Sequence, residues 1–278
     1  MHELRQLFPL ARLLQLAELA RSTLYYQQKS LQAVDKYEQL KGQIRTLFNG
    51  HKGRYGYRRI TAGLRQLGQQ VNHKTVQRLM GILGLKSLVR PKKYRSFKGE
   101  IGQAAPNVLQ RRFEADNANQ KWVTDVTEFN VDGEKLYLSP VLDLYNGEIV
   151  VYETSKRPAF ELVNGMLKKA FTKLRQGDRP MLHSDQGWQY RMPAYQRQLR
   201  ERQLVQSMSR KGNCLDNAAM ESFFAVLKSE FFYLNKFESI DALRDGLADY
   251  IHYYNHDRIK LKLKGLSPVQ YRTQALGA

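Results

Sequence analysis

The chain has 278 residues, 42% of them hydrophobic, with 12 Phe, 16 Tyr and a formal net charge of +19. That content excludes a disordered chain and allows two or three domains, while no apolar run approaches the roughly 18 residues of a membrane helix and the opening MHELRQLFPLARLL carries no secretory h-region. One cysteine, Cys214, excludes internal disulfides and thiolate zinc sites, which fits a reducing, bacterial cytoplasmic setting.

The charge is unevenly spread. Residues 1–112 hold 22 Lys and Arg against 5 Asp and Glu, whereas residues 113–278 hold 23 against 21. A basic, helical segment with interleaved aromatics points to phosphate binding and so to nucleic acid. A ribosomal-type or merely solubilising basic surface is the plainer alternative.

In chain order, LFPLARLLQLAELARSTLYYQQK (Leu7 to Lys29) reads as two short helices around a turn. Leu14, Leu16 and Leu19 supply the apolar faces, and Ser22 is the expected N-cap. Arg54 to Leu85 reads as a second, stronger pair. Its first helix carries Ile60, Leu64 and Leu67, its turn is Gly68-Gln69-Gln70, and Asn72 caps a second helix whose Val76, Leu79 and Met80 face inward. His73, Lys74, Gln77 and Arg78 then face outward, as in a helix-turn-helix whose second helix enters the major groove. Arg54, Tyr57, Arg58 and Arg59, at the start of the first helix, are further candidates for DNA contact. An ordinary helical hairpin with solvated charges is the alternative. From Ser87 to Gln120 the periodicity is lost, and Lys92, Lys93, Arg95 and Lys98 mark a basic linker.

Beyond Lys121 the pattern changes to strands. KWVTDVTEFNV, KLYLSPVLDLY and EIVVYETS are three runs of β-formers separated by hairpin turns at Asp132-Gly133-Glu134 and Asn146-Gly147. A helix over 158–174, a strand over 180–185, a helix over 192–204 and a strand VQSMS follow. The order implies an α/β fold with a mixed sheet flanked by helices. The expected organisation is a helix-turn-helix over 1–40, a second over 41–90, a linker over 91–118, a catalytic core over 119–235, and a C-terminal helix with a basic tail over 236–278.

The stretch RKGNCLDNAAMESFFAVLKSEFF reads as a helix with a core-facing stripe of Met220, Phe224, Leu227 and Phe231. Glu221 lies beside the stripe, Lys228 stands two turns further on the same side, and Asn217 precedes Glu221 by one turn. Asp125 sits within a strand run and Asp185 ends another, followed by Gly187, which is expected to let the backbone bend. A buried ionised carboxylate needs a positive partner, and ligands of open α/β sheets gather beyond strand carboxyl ends. Asp125, Asp185 and Glu221 are therefore candidate ligands for a hard cation, Mg²⁺ or Mn²⁺. Pattern alone does not single them out, because Asp143 is equally strand-embedded and Glu128 is near Asp125. His183 reads as packing rather than catalysis. For Asn217, orienting Glu221, touching DNA and facing water stay open.

The combination WVTDVTEF, HSDQGWQY and SMSRKGNCLDNAAMESFFAVLKSE resembles the DDE transposases. The spacing leaves 59 residues between Asp125 and Asp185 and 35 between Asp185 and Glu221, and Lys228 follows the glutamate by seven. The chain is similar to the downstream-frame products of bacterial insertion sequences related to retroviral integrases, and APNVLQRRF and YIHYYNHDRIKLKLKGLSPVQYR fit that pattern. The resemblance implies an RNase H-like core with two divalent ions, Mg²⁺ or Mn²⁺, per site. Asp125 would bridge both ions, and Asp185 and Glu221 would each hold one. It further implies cleavage of element ends to free a 3′-hydroxyl, joining of that hydroxyl to another phosphodiester, and Lys228, Arg210 and Lys211 on the DNA backbone. The expected partners are element terminal repeats, target DNA, further copies of the chain, and an upstream-frame fusion segment, since no heptad zipper is visible; the setting is the bacterial nucleoid. A repressor derived from a transposase, or a structure-selective nuclease, are the competing readings.

Overall fold

The computed structural model describes residues 6–32, 35–89, 104–210 and 213–276. Lys211 and the linker lysines Lys92, Lys93 and Lys98, with Arg95, lie outside the described residues. The chain divides into two compact units, Met1–Thr46 and Leu47–Ala278.

In the first unit, α1 (Leu10–Leu16) and α2 (Arg21–Gln32) form the expected short pair. Their apolar faces differ from expectation. Leu13 and Leu14 are buried, but Leu16 is 77% exposed and Leu19 is exposed. Ser22 lies inside α2 rather than capping it, because the helix already starts at Arg21. Helix α3 (Glu38–Gly50) follows, with Ile44 fully buried.

The second unit takes in the last turn of α3 and then α4 (Tyr57–Gln66) and α5 (His73–Ile82). Asn72 caps α5 as expected, its side-chain oxygen accepting the Lys74 N–H at 2.8 Å. Ile60, Leu64, Val76 and Leu79 are fully buried between elements, and His73, Lys74, Gln77 and Arg78 point outward. Leu67 is not on the apolar face. Helix α4 ends before it in a turn where the Gln69 N–H returns to the Leu64 carbonyl and Gly68 takes φ +81°, leaving Leu67 exposed.

Six strands form one sheet: β1 (Lys121–Thr124), β2 (Thr127–Val131), β3 (Glu134–Asp143), β4 (Ile149–Ser155), β5 (Met181–Ser184) and β6 (Val205–Met208). Strand β3 pairs antiparallel with β1 and β2 along one edge and with β4 along the other, while β1, β5 and β6 run parallel. Asp132 and Gly133 close the β2–β3 hairpin with positive φ at both residues, as a type I′ turn requires. The run KWVTDVTEFNV is two strands rather than one. Both halves keep a single register against β3, from Trp122↔Asp143 and Thr124↔Val141 to Thr127↔Leu138. That register sets Asp125 opposite Pro140, which has no N–H to donate to the ladder. The Pro140 carbonyl accepts the Thr124 hydroxyl instead, at 2.8 Å.

Alternation along the strands feeds two cores. Trp122, Val141 and Leu182 pack against α6 (Phe160–Phe171) and α7 (Pro193–Glu201) on one face. Val123, Leu138 and Leu142 pack against α8 (Ala218–Glu230) and α9 (Ile240–His256) on the other. The expected stripe of Met220, Phe224, Leu227 and Phe231 is buried, joined by Phe223. Residues 105–109, within the expected linker, pack along β6: Leu109 is buried, and the N–H groups of Val108 and Leu109 donate to the Ser207 hydroxyl. A last helix, α10 (Pro268–Leu276), occupies the tail. Among the described residues no helix is long and apolar enough to cross a membrane.

Candidate active site

Parallel pairing of β1 with β5 builds the floor of the site. The register Trp122↔Leu182 and Val123↔His183 continues to bring Asp125 and Asp185 side by side, each just past the end of its strand. Asp125 is thus released from the ladder rather than embedded in it, and its carboxylate accepts the Val126 N–H at 2.7 Å. Asp185 accepts the Gly187 N–H at 2.9 Å. Gly187 has an ordinary φ of −53°, so bending is not why glycine stands there. A Cβ at this position would meet the Asp185 carboxylate at 2.9 Å and the Gln189 side chain at 3.1 Å, so glycine makes room.

Glu221 enters from the first turn of α8. Asn217, immediately before the helix, donates from its side-chain amide to the Thr124 carbonyl at 3.3 Å. This ties the start of α8 to the last residue of β1, next to Asp125, so Asn217 is buried rather than facing water. Lys228 stands with its ammonium 5.3 Å from the centre of the Phe129 ring.

Electrostatics reflect this crowding. Burial, then the negative charges of Asp185 and Glu221, push the Asp125 carboxyl well above its ordinary range. Burial also raises Asp185 and Glu221, and it lowers Lys228 against the pull of Glu128 and Asp125. Carboxylates so placed are stabilised by a cation, and their hard oxygens suit Mg²⁺ or Mn²⁺. Among the described residues, no group of three or more His, Cys, Asp or Glu stands ready as a closed cluster. The three carboxylates would have to draw together around an ion.

The rival acids are accounted for elsewhere. Asp143 pairs with Trp122 at the far end of β1, where it accepts N–H bonds from Asn119 and Tyr145 and faces Arg272 at 3.5 Å. Glu128 is on the surface, paired with Lys135 at 3.2 Å. His183 is fully buried, with Nδ1 2.8 Å from the Ser207 hydroxyl and Nε2 3.1 Å from that of Ser209; burial lowers its pKa to about 4. It is a packing residue, held neutral.

The proposed DNA contacts divide. Arg54 is 7% exposed, and its Nε donates to the Glu230 carbonyl at 3.0 Å, so it belongs to the interior. Arg59 reaches the Glu230 carboxylate at 3.1 Å. Arg210 closes two side-chain bonds of 2.9 Å on Asp216, which Arg111 also contacts. All four of Arg54, Tyr57, Arg58 and Arg59 line a cleft of about 870 Å³ that reaches Asp125 and Lys228, but Arg54 and Arg59 are engaged by Glu230. The sequence reading missed Glu230. It is buried on α8 and holds Arg258 through two 2.7 Å bonds and Tyr250 through one of 3.0 Å. Burial opposes its ionisation, yet Arg258 and Arg59 hold its carboxyl below the usual range. It also missed Tyr190, whose buried phenol is pushed well above its ordinary pKa by burial and by Asp125 and Asp185. A glutamate in the last turn of a helix and a tyrosine in a short turn leave no periodic signal.

Known proteins match in the same regions. The integrase core domain profile covers residues 115–214, a second integrase core domain profile covers 221–276, and an HTH-like domain profile covers 36–93. The chain is 57% identical over 274 residues to the InsK transposase of insertion sequence element IS150 from Escherichia coli, spanning 99% of this chain and 97% of that protein. A transposase-like protein of Haemophilus influenzae is 56% identical over 207 residues, 74% of this chain and 95% of its own length. Among solved structures, a chain of the simian T-cell lymphotropic virus intasome aligns at 15% identity and a TM-score of 0.45, covering 78% of this chain and 70% of that one. On the strength of such identity over nearly the whole length, the chain belongs to the insertion-sequence transposases that carry an integrase core domain.

Proposed function

We propose that this transposase cuts the ends of its element and joins the freed 3′-hydroxyl to a second phosphodiester, with Asp125, Asp185 and Glu221 as its catalytic carboxylates. The observation that carries the reading is the side-by-side ending of β1 and β5, with the first turn of α8 tied by Asn217 to Thr124. In the first step water attacks the phosphodiester at the element end, and the 3′-oxygen leaves as a hydroxyl. In the second, that hydroxyl attacks a target phosphodiester and a second 3′-oxygen leaves, so the number of phosphodiester bonds is conserved. The three carboxylates would hold two Mg²⁺ or Mn²⁺ ions, which when bound supply Lewis-acid stabilisation of the attacking and leaving oxygens. Lys228 would hold a phosphate next to the scissile bond, and Asn217 would keep Glu221 in line.

On this reading the outward face of α5, with His73, Lys74, Gln77 and Arg78, reads the terminal repeat in the major groove. Joining two ends calls for two active sites, so the working form is a homo-oligomer on element and target DNA. The test is strand transfer of a labelled element-end oligonucleotide with Mg²⁺ or Mn²⁺, wild type beside Glu221→Gln. Joined product from wild type alone is the expected result. Equal product from both would remove Glu221 from the site, and joining that requires added upstream-frame product would identify that segment as a partner.

A further inference from the structure

The cleft of about 870 Å³ draws its lining from distant parts of the sequence: Asp125, Phe224 and Lys228, then Tyr57 and Arg58 from the first turn of α4, and Tyr233. Helix α4 is fastened to the catalytic elements in the same unit. Arg59 and Arg258 share the Glu230 carboxylate of α8, Arg54 bonds the Glu230 carbonyl, and the Tyr55 hydroxyl accepts the Ile259 N–H at 2.7 Å. Arg58 and Tyr57 are locked to each other, with the Arg58 Nε donating to the Tyr57 hydroxyl at 3.2 Å. Arg58 also lines a second cleft, of about 590 Å³, with Arg65, His73 and Lys264. A basic path therefore leads from Asp125 past Arg58 to the start of α5.

We infer that the larger cleft takes one unpaired strand of DNA beside the reacting phosphodiester, Arg58 and Lys228 meeting its phosphates and Tyr57 and Tyr233 stacking on its bases. This rests on the strand-transfer reading above. Cations interleaved with aromatic rings are the chemistry that holds single strands, whose backbone and base faces are both exposed. The first turn of α4 then serves the reaction, and α5 alone reads the element end.

The experiment uses the full chain as wild type, Arg58→Ala and Tyr57→Leu. A short single-stranded oligonucleotide carrying 2-aminopurine and the matching element-end duplex are titrated with each, and strand transfer is measured on the same proteins. Wild type quenches the single strand. Both variants lose roughly 10-fold in single-strand affinity, the scale of one stacked base, and a similar factor in strand transfer, while duplex affinity changes less than about 2-fold. Transfer by the variants recovers on a substrate whose terminal bases are already unpaired. Equal single-strand binding by all three proteins overturns the inference while leaving the strand-transfer reading intact. So does an equal loss on duplex and single strand. Arg58-dependent single-strand binding in a wild type that joins no DNA upholds the cleft and sinks the strand-transfer reading instead.

Discussion

Asp125, Asp185 and Glu221 share one problem, negative charge confined in a partly dry space, and on the proposed function a bound cation is its remedy. Asp125→Asn, Asp185→Asn and Glu221→Gln are each expected to lower strand transfer by roughly 10²–10³-fold or more with DNA affinity unchanged. Mn²⁺ should raise the melting temperature of wild type and not that of Asp125→Asn, a readout independent of turnover. A variant that still joins DNA, or still gains stability from Mn²⁺, does not carry a ligand. Gly187→Ala tests the same place through shape. Its new methyl would sit 2.9 Å from the Asp185 carboxylate, and a displacement of about 1 Å at a reacting centre costs on the order of 10²-fold in rate. Unchanged turnover in Gly187→Ala would show that Asp185 has room to move. The sequence proposes these three acids only together with their surrounding motifs. By residue type and strand context Asp143 was their equal, and only the sheet register, which sends it to the opposite end of β1, separates them.

Helix α8 is the element on which the proposed site depends. Its apolar stripe was legible because it repeats at helical spacing, yet two of its anchors were not. For Asn217 the sequence left orienting Glu221, touching DNA and facing water open, and its amide meets the Thr124 carbonyl. Asn217→Ala is expected to cost about 1 kcal/mol of stability, and to reduce strand transfer more than that loss explains; a variant with full activity would mean that α8 is held by its stripe alone. Glu230, at the other end, is 2% exposed and holds Arg258, itself 4% exposed. Glu230→Ala leaves that guanidinium buried without its counter-ion and should cost about 3–5 kcal/mol, visible as a shifted urea midpoint. Little change in the midpoint would mean that the pocket hydrates. An acid in the last turn of an amphipathic helix is ordinarily a solvated one. Nothing in its sequence neighbourhood announces arginines 171 and 28 positions away.

For the whole molecule, two titrations follow from where charge lies. The charge excess of residues 1–112 should make DNA affinity fall steeply with salt. Lys74→Ala should flatten that dependence by about one unit of slope if it meets a phosphate, or relax base preference if it meets an edge; a flat response in wild type would move the DNA site away from the basic segment. His183 bears on stability. The fold holds it neutral, with its pKa lowered from 6.5 to about 4 by burial. Between those values the unfolded chain binds a proton that the folded chain refuses. The contribution is therefore complete above about pH 6.5 and is lost as the pH falls toward 4, by at most about 3 kcal/mol. Urea unfolding across that range should show the loss in wild type and a flatter profile in His183→Asn; identical profiles would place the loss in other groups.

By itself the sequence determined the order of strands and helices from β3 to α9, the hairpin at Asp132-Gly133, the Asn72 cap, the α8 stripe and the basic character of the N-terminal third. Each of these is written in neighbours within a few positions, where period, turn chemistry and charge act locally. Only the tertiary structure decided that Asp125 leaves the ladder opposite Pro140, that Asp185 ends beside it, that Arg54 turns inward to Glu230, and that Tyr57 and Arg58 face the same cleft as Lys228. Those outcomes depend on register and on pairs far apart in the chain, which hydrophobic period cannot encode and packing alone resolves.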